Sequence, residues 1–400
     1  MTDNKIPLLS IVIPTKNRQF TCLYAIESAL LINNDDFEVV VQDCSDAGIL
    51  QQQIHEKFGI DPRIKYFYSN EKLSMTDNWN RAFSNTKGEY ICAIGDDDAV
   101  LPSIYKIAKW ANQRNVCMVK HPQTYNCSWP GYLTEDLNGI LYYNKNLKVT
   151  GTYSIVKPDY KKLQEFCTLK NPLIYLSLPN VYHCIFSRSL IESVKKDTGV
   201  FLDSTSLDAY IAVVLFKYLK EYAFINYPFT LPGSAPNSNS HRFEAGKIAL
   251  HFKEFENLKF PDFLPQIYGL TTTVAESVYT ACKNTHQDSL LEKINLPYMY
   301  ASIYIESKGN FSIIFKKLQQ YKKSKMDYVY FFSHIINKYK KKRIVGVKEK
   351  TKKTLRKIFP VYFAKLRSKY GGAETYHIDN TIEAVSIIRD QLKDCKLMLD

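Results

Sequence analysis

No apolar run in this 400-residue chain reaches the ~18 residues that a bilayer-spanning helix requires, so no membrane span is expected. Residues Met1–Pro14 also lack the basic start and small-residue cleavage site of a secretory signal. Their short apolar run ends at Pro14 and suits a strand. The nine cysteines, at 22, 44, 92, 117, 127, 167, 184, 282 and 395, contain no CxxC pair. Neither a zinc cage nor a disulfide framework is therefore expected, and free thiols suit a reducing cytoplasm. Glycine and proline are scarce at 15 and 16 residues, and internal repeats are absent. Hydrophobic residues make up 45% of the chain, enough for a sizeable core in each of two domains.

What is present is an alternation. Leu8–Ile13, Phe37–Val41, Ile64–Tyr68, Tyr90–Ile94 and Val116–Val119 are short apolar runs that suit buried strands. Helical patterns over Phe20–Leu31, Leu50–Phe58, Asp77–Ser84 and Ser103–Gln113 separate them, with Thr76 or Asp77 as the cap of the third. Such spacing implies an α/β fold with a doubly wound, mostly parallel sheet. Further on, Val181–Phe186 suits a strand, Leu190–Lys196 a short helix and Leu207–Glu221 a strongly apolar helix. Beyond about residue 250 the pattern turns helical and lysine-rich, which places a boundary between domains 1–250 and 251–400.

The polar residues fall where open α/β sheets bind ligands, at the carboxyl ends of strands. Pro14-Thr15-Lys16-Asn17-Arg18 follows the first strand, Asp43-Cys44-Ser45-Asp46 the second, and Asp96-Asp97-Asp98 the fourth. Three adjacent carboxylates repel one another unless a cation compensates them. A hard divalent ion, Mn²⁺ or Mg²⁺, suits one or two of them together with diphosphate oxygens. The competing reading is a solvated acidic turn ahead of the helix at Ser103. Asp43 suits a base N–H or ribose hydroxyl, or an ordinary Asx-turn. Asn17 and Arg18 suit a phosphate or base contact, or a helix cap.

The run Ser10–Arg18, then Val40–Ser45, then Asn80-Arg81 ahead of Lys87-Gly88-Glu89-Tyr90-Ile91, then Gly95–Asp98 with Pro102, resembles family-2 glycosyltransferases of the GT-A fold, of the bacterial envelope polysaccharide type. The resemblance covers residues 7–120 closely and 180–240 loosely. It implies a GT-A sheet domain followed by a mainly α-helical C-terminal domain. It also implies nucleotide-sugar contacts from Pro14, Thr15, Asn17, Arg18, Asp43, Asn80, Arg81, Asp96 and Asp97, and a metal on Asp96 and Asp98, with Asp97 as the alternative. Two departures stand out: Gln42 replaces the first of a usual aspartate pair, and Gly95 sits where the family often has an acid. The Gln-x-x-Arg-Trp signature of processive relatives is absent, which implies single additions.

Inverting transfer needs a base for the acceptor hydroxyl. The resemblance puts that base about 100 residues past the metal motif, at a helix start, which implies Asp208, with Asp203 as substitute. A favourable charge at the helix N-terminus is the plainer role for Asp208. In the loop Gly233–Arg242, His241 would add a metal ligand and Arg242 a phosphate contact if the loop closed over the diphosphate. A plain surface loop is the simpler expectation. His183, within a strand pattern, suits a hydrogen-bonded core position.

The net charge of +13 is concentrated in residues 315–370. Residues 340–370 mix cations with Ile, Phe, Val and Tyr, as segments lying on anionic membranes do. A solvated lysine-rich face is the alternative, and nucleic acid is not the expected partner. The sequence thus points to an inverting, metal-dependent glycosyltransferase. It would move a sugar from a nucleotide-diphosphate donor, UDP-sugar first, to a saccharide acceptor, polyprenyl-linked in surface polysaccharide synthesis, at the cytoplasmic face of the membrane. A sugar-nucleotide nucleotidyltransferase is a rival, though no Gly-rich phosphate loop follows the first strand. A non-catalytic nucleotide- or membrane-binding module is the other.

Overall fold

The structure, a computed structural model, describes residues 5–132, 138–238, 255, 259–307, 309–340 and 373–400. Its frame is an eight-stranded sheet. The strands are β1 (Leu9–Thr15), β2 (Phe37–Asp43), β3 (Ile64–Tyr68), β4 (Tyr90–Ala93), β5 (Met118–Lys120), β6 (Tyr153–Val156), β7 (Cys184–Ser187) and β8 (Tyr222–Ile225). They lie in the order β3-β2-β1-β4-β7-β5-β8-β6; the first four run parallel, and β7 is antiparallel to both β4 and β5.

Every residue of β1 and β2 is buried, as expected of strands covered by helices on both faces. Pleating sends neighbours opposite ways: Leu9, Ile11 and Ile13 join one apolar cluster while Val12 joins the other. On the first face lie α1 (Gln19–Leu30), α2 (Leu50–Phe58) and α4 (Ser103–Gln113). On the second lie α3 (Met75–Ser84), α5 (Tyr160–Cys167), α6 (Arg188–Thr198) and α7 (Leu207–Tyr218). Helix α3 is capped by Ser74, whose hydroxyl accepts from the Asp77 amide, two to three residues earlier than the sequence suggested.

The strand expected at Val181–Phe186 begins later, at Cys184. His183 has φ +58°, a left-handed conformation that interrupts a regular strand. Tyr182 and His183 thus sit at a kink, with Tyr182 bridged to Ala93 at the end of β4.

The chain crosses the expected boundary at 250 in two ways. Helices Leu270–Asn284, Leu296–Ser307 and Phe311–Tyr321 contribute Val274, Tyr300 and Ile314 to the cluster that holds α7, so the two parts share one core. The segment 373–400 returns to the first domain. Its strand Ala373–Ile378 pairs antiparallel with Gly139–Asn144, and its helix Thr381–Leu392 packs beneath the short strand Ala99–Val100, with Leu399 in the α1–α4 core. Residues 341–370, His241 and Arg242, for which membrane, metal and phosphate contacts were expected, lie outside the described residues. Among the described residues no helix is long and apolar enough to cross a membrane.

Candidate active site

The loops after β1, β2 and β4 meet at one rim of the sheet. Thr15 stands opposite Asp43 in the β1–β2 ladder. Its hydroxyl donates to Asp96 Oδ2 at 2.6 Å, tying the first strand to the acidic turn. Asn17, at φ +56°, turns its amide N–H onto Ser45 Oγ and exchanges two hydrogen bonds with Asp46. The first two loops are therefore stitched into one surface. Asp43 is fully buried, accepting from the Ser45 amide and from the Tyr66 hydroxyl. Gln42 is also fully buried, donating to Ser69 and accepting from Asn85. A strut therefore stands where the family often has an acid, which leaves Asp43 as the carboxylate of that pair of positions.

In the acidic turn the three aspartates do different things. Asp98 accepts the Gly95 amide on one oxygen and the Gly233 amide on the other, at 2.6 and 2.7 Å. Asp98, expected beside Asp96 as a metal ligand, also anchors the turn through these two backbone contacts. Asp97 accepts the Ala235 amide on Oδ2, and its carbonyl accepts from Trp129 Nε1. Asp96 Oδ1 accepts no hydrogen bond among the described residues; it faces Arg18 Nη2 at 3.0 Å. Arg18 Nη1 lies 3.8 Å from Asp97 Oδ1. Burial alone would lower the Arg18 pKa, and the charges of Asp96 and Asp97 outweigh it and raise it. Burial lifts Asp96 to about 6 despite Arg18, and together with the Asp97 charge holds Asp98 well above the usual carboxylate range.

The Leu231–Ala235 segment is not the plain surface loop the sequence suggested. It adds a short strand beside Tyr125–Ser128 and lays its amides on the acidic turn. A Cβ on Gly233 would fall 1.8 Å from the Asp97 carbonyl oxygen, so only glycine fits this approach.

Behind the turn lies a buried polar chain. His121 Nδ1 is 2.8 Å from the Pro122 carbonyl, which only accepts, so Nδ1 carries the proton and Nε2 accepts from Thr230. The Thr230 oxygen then accepts from His183 Nδ1, leaving the His183 Nε2 lone pair 3.6 Å from Asp98 Oδ2. Burial keeps both rings neutral, at about 4 for His121 and about 3 for His183. His183 is a hydrogen-bonded core residue, as its sequence position suggested.

Asp208 opens α7. It accepts from the Ser206 hydroxyl at 2.8 Å and from Tyr175, and burial raises its pKa. Tyr182 joins it to the acidic turn: apart from burial, its ionisation is governed by Asp208, Asp98, Arg18 and Asp97. These charges share one electrostatic neighbourhood. Asp203, the substitute base, is held by Asn284 and by the Ser204 amide. Asn80 exchanges two hydrogen bonds with the Leu202 backbone, and Arg81 binds Ser69 and Glu71. Both were expected at the nucleotide, and both side chains are engaged as struts within the protein. Tyr66, Trp129, Tyr175 and Tyr182 were missed in the sequence, because lone aromatics in an aromatic-rich chain carry no signal.

Residues 10–165 match the model of Glycosyl transferase family 2. The match is to this segment, which is less than half of the chain. Within it lie Asp43 and the acidic turn. The chain is 37% identical over 98 residues to a protein of Escherichia coli (strain K12) provisionally named colanic acid biosynthesis glycosyl transferase WcaA, covering 24% of this chain and 35% of that one. It is 34% identical over 100 residues to the GalNAc(5)-diNAcBac-PP-undecaprenol beta-1,3-glucosyltransferase of Campylobacter jejuni, covering 24% and 31%. The matched stretches span about a third of the length of these curated relatives. Among solved structures, S. aureus TarS 1–349 in complex with UDP aligns over 83% of this chain and 91% of that chain, at 13% identity and a TM-score of 0.43.

Proposed function

We propose that the chain is an inverting glycosyltransferase that uses a nucleotide-diphosphate sugar, with Asp208 as the base. The carrying observation is the convergence, through Tyr182, of Asp208 with Arg18 and the acidic turn, on the rim that also holds Asp43. In this reading Asp43, Thr15 and the Pro14–Arg18 loop receive the nucleoside, and Arg18 meets phosphate. Asp208, whose pKa burial raises, is suited to accept the proton of an acceptor hydroxyl.

The donor set fits a hard cation of the Mn²⁺ or Mg²⁺ kind. Asp96 and Asp97 already face the partly buried guanidinium of Arg18, and Asp96 Oδ1 has no hydrogen bond of its own among the described residues. The described residues hold no cluster of three or more His, Cys, Asp or Glu side chains placed for a metal. An ion of that kind takes one or two carboxylates and fills its shell with diphosphate oxygens. Asp96 and Asp97 would hold it, with Asp98 fixing the turn, and its chemistry would be to stabilise charge on the departing nucleoside diphosphate.

The relatives support a saccharide acceptor carried on a polyprenyl diphosphate, in surface polysaccharide synthesis. Such an acceptor puts the enzyme at an anionic membrane surface, where a chain of net charge +13 is favoured. The test is a thermal-shift screen of nucleotide sugars with and without Mn²⁺, followed by an assay for released nucleoside diphosphate. A true donor at ~100 times its dissociation constant adds roughly 2.7 kcal/mol. If no nucleotide sugar shifts the transition and none is turned over, the proposal fails.

A further inference from the structure

The segment that carries Asp208 into the site, Asp203–Ser206, is held mainly by side chains from elsewhere in the chain. From the nucleotide half, the Thr76 hydroxyl donates to the Ser204 carbonyl at 2.6 Å. From the C-terminal half, the helix Leu270–Asn284 supplies Glu276 and Ser277. Glu276 Oε2 accepts both the amide and the hydroxyl of Thr205, at 3.1 and 2.9 Å. Ser277 Oγ accepts the Ser204 hydroxyl and the Ser206 amide, at 2.7 and 3.1 Å, while donating to Thr273 one turn back. Ser206 in turn donates its hydroxyl to Asp208 Oδ1. An unbroken line of hydrogen bonds therefore runs from the C-terminal helix to the carboxylate.

Two features set this apart from ordinary packing. Ser204 has φ +72°, a left-handed conformation costly to a residue with a Cβ, so the segment keeps its shape only while its surroundings impose it. Glu276 is 4% exposed, and burying a carboxylate is an unfavourable way to gain stability alone. What the buried acceptor gives is direction: two donors of a single loop residue are fixed at one point.

We propose that Glu276 and Ser277 are positioning residues that set the Asp203–Ser206 segment and, through Ser206, the orientation of Asp208. The helix Leu270–Asn284 thus gains a role in the reaction. This rests on the reading of Asp208 as the base.

The experiment compares full-length wild type, Glu276→Ala, Glu276→Gln and Ser277→Ala by hydrogen exchange over 203–209 and by transfer kinetics. Glu276→Ala is expected to speed exchange in 203–209 at least 10-fold more than in β1 and β2. It should lower kcat about 10-fold while leaving the donor dissociation constant unchanged. Glu276→Gln keeps an acceptor for Thr205 and should restore both. Ser277→Ala, a smaller change, should act in the same direction if Glu276→Ala does not fold. Unchanged exchange over 203–209 in the folded variants, or a loss of kcat that Gln does not restore, would overturn the proposal. Should wild type transfer no sugar, the reading of Asp208 fails first, and the exchange arm alone decides whether the helix holds the segment.

Discussion

Arg18 and Asp96 form an ion pair at 3.0 Å in which the carboxylate is fully buried and the guanidinium side chain is 21% exposed. The arginine sits where a cation is needed, so the protein carries an internal counter-charge for its own acidic turn. Removing one partner of such a pair leaves an uncompensated buried charge, typically about 3–5 kcal/mol. Arg18→Gln is expected to destabilise the protein by that order in urea unfolding without metal, and Asp96→Asn on top of it should recover part of the loss. Added Mn²⁺ should stabilise Arg18→Gln more than wild type. Equal Mn²⁺ stabilisation of both would show that Arg18 and the cation do not share those oxygens.

Asp208 and Asp203 are five residues apart and differ in what holds them. Asp208 shares the electrostatic surroundings of Tyr182 with the acidic turn, whereas Asp203 is bound by Asn284. Asp208→Asn is expected to lower kcat roughly 10²–10⁴-fold, the usual span for a lost general base, with donor binding intact by calorimetry. Asp203→Asn should keep kcat within a few-fold. The reverse order of losses would move the base to Asp203.

Gly233 has no room for a methyl group, because the Asp97 carbonyl lies 1.8 Å from where a Cβ would stand. Gly233→Ala must push the loop off the acidic turn and break the amide bond to Asp98 Oδ1. Overpacking of this kind costs about 1–3 kcal/mol. A lowered Tm together with weaker donor binding is the expected pair of results, and an unaltered Tm would contradict the close approach.

His121 and His183 give the fold a pH dependence with a definite sign. Their pKa values lie below the unfolded value of 6.5, at about 4 and about 3, because burial opposes the charged form. Between those values and 6.5 the unfolded chain binds more protons. The stability they confer is therefore complete above 6.5 and is lost as pH falls toward 4 and then 3. At pH 5 each should have cost roughly 2 kcal/mol. The buried aspartates slope the other way, so the measurement is a difference: urea unfolding of wild type against His183→Asn, at pH 7 and pH 5. Asparagine tolerates the left-handed backbone there. A variant that loses as much stability as wild type between the two pH values would refute the assignment.

The sheet and the places where chemistry gathers were legible in the sequence because they depend on local pattern. Buried parallel strands must be apolar throughout, so Leu9–Ile13 and Phe37–Val41 announce themselves, and polar residues just past their ends must lie at the sheet rim. Three adjacent aspartates after a buried strand likewise declare a need for positive charge. What each carboxylate does was not legible. Asp96, Asp97 and Asp98 have the same chemistry, and they diverge only because Arg18, Ala235 and Gly233 reach them from different parts of the chain. The return of 373–400 to the first domain, and the Glu276 hold on Thr205, depend on contacts across some 230 and 71 residues. Periodicity reports which face of an element is apolar; it does not report which distant partner covers that face or satisfies a buried donor. Only folding decides that.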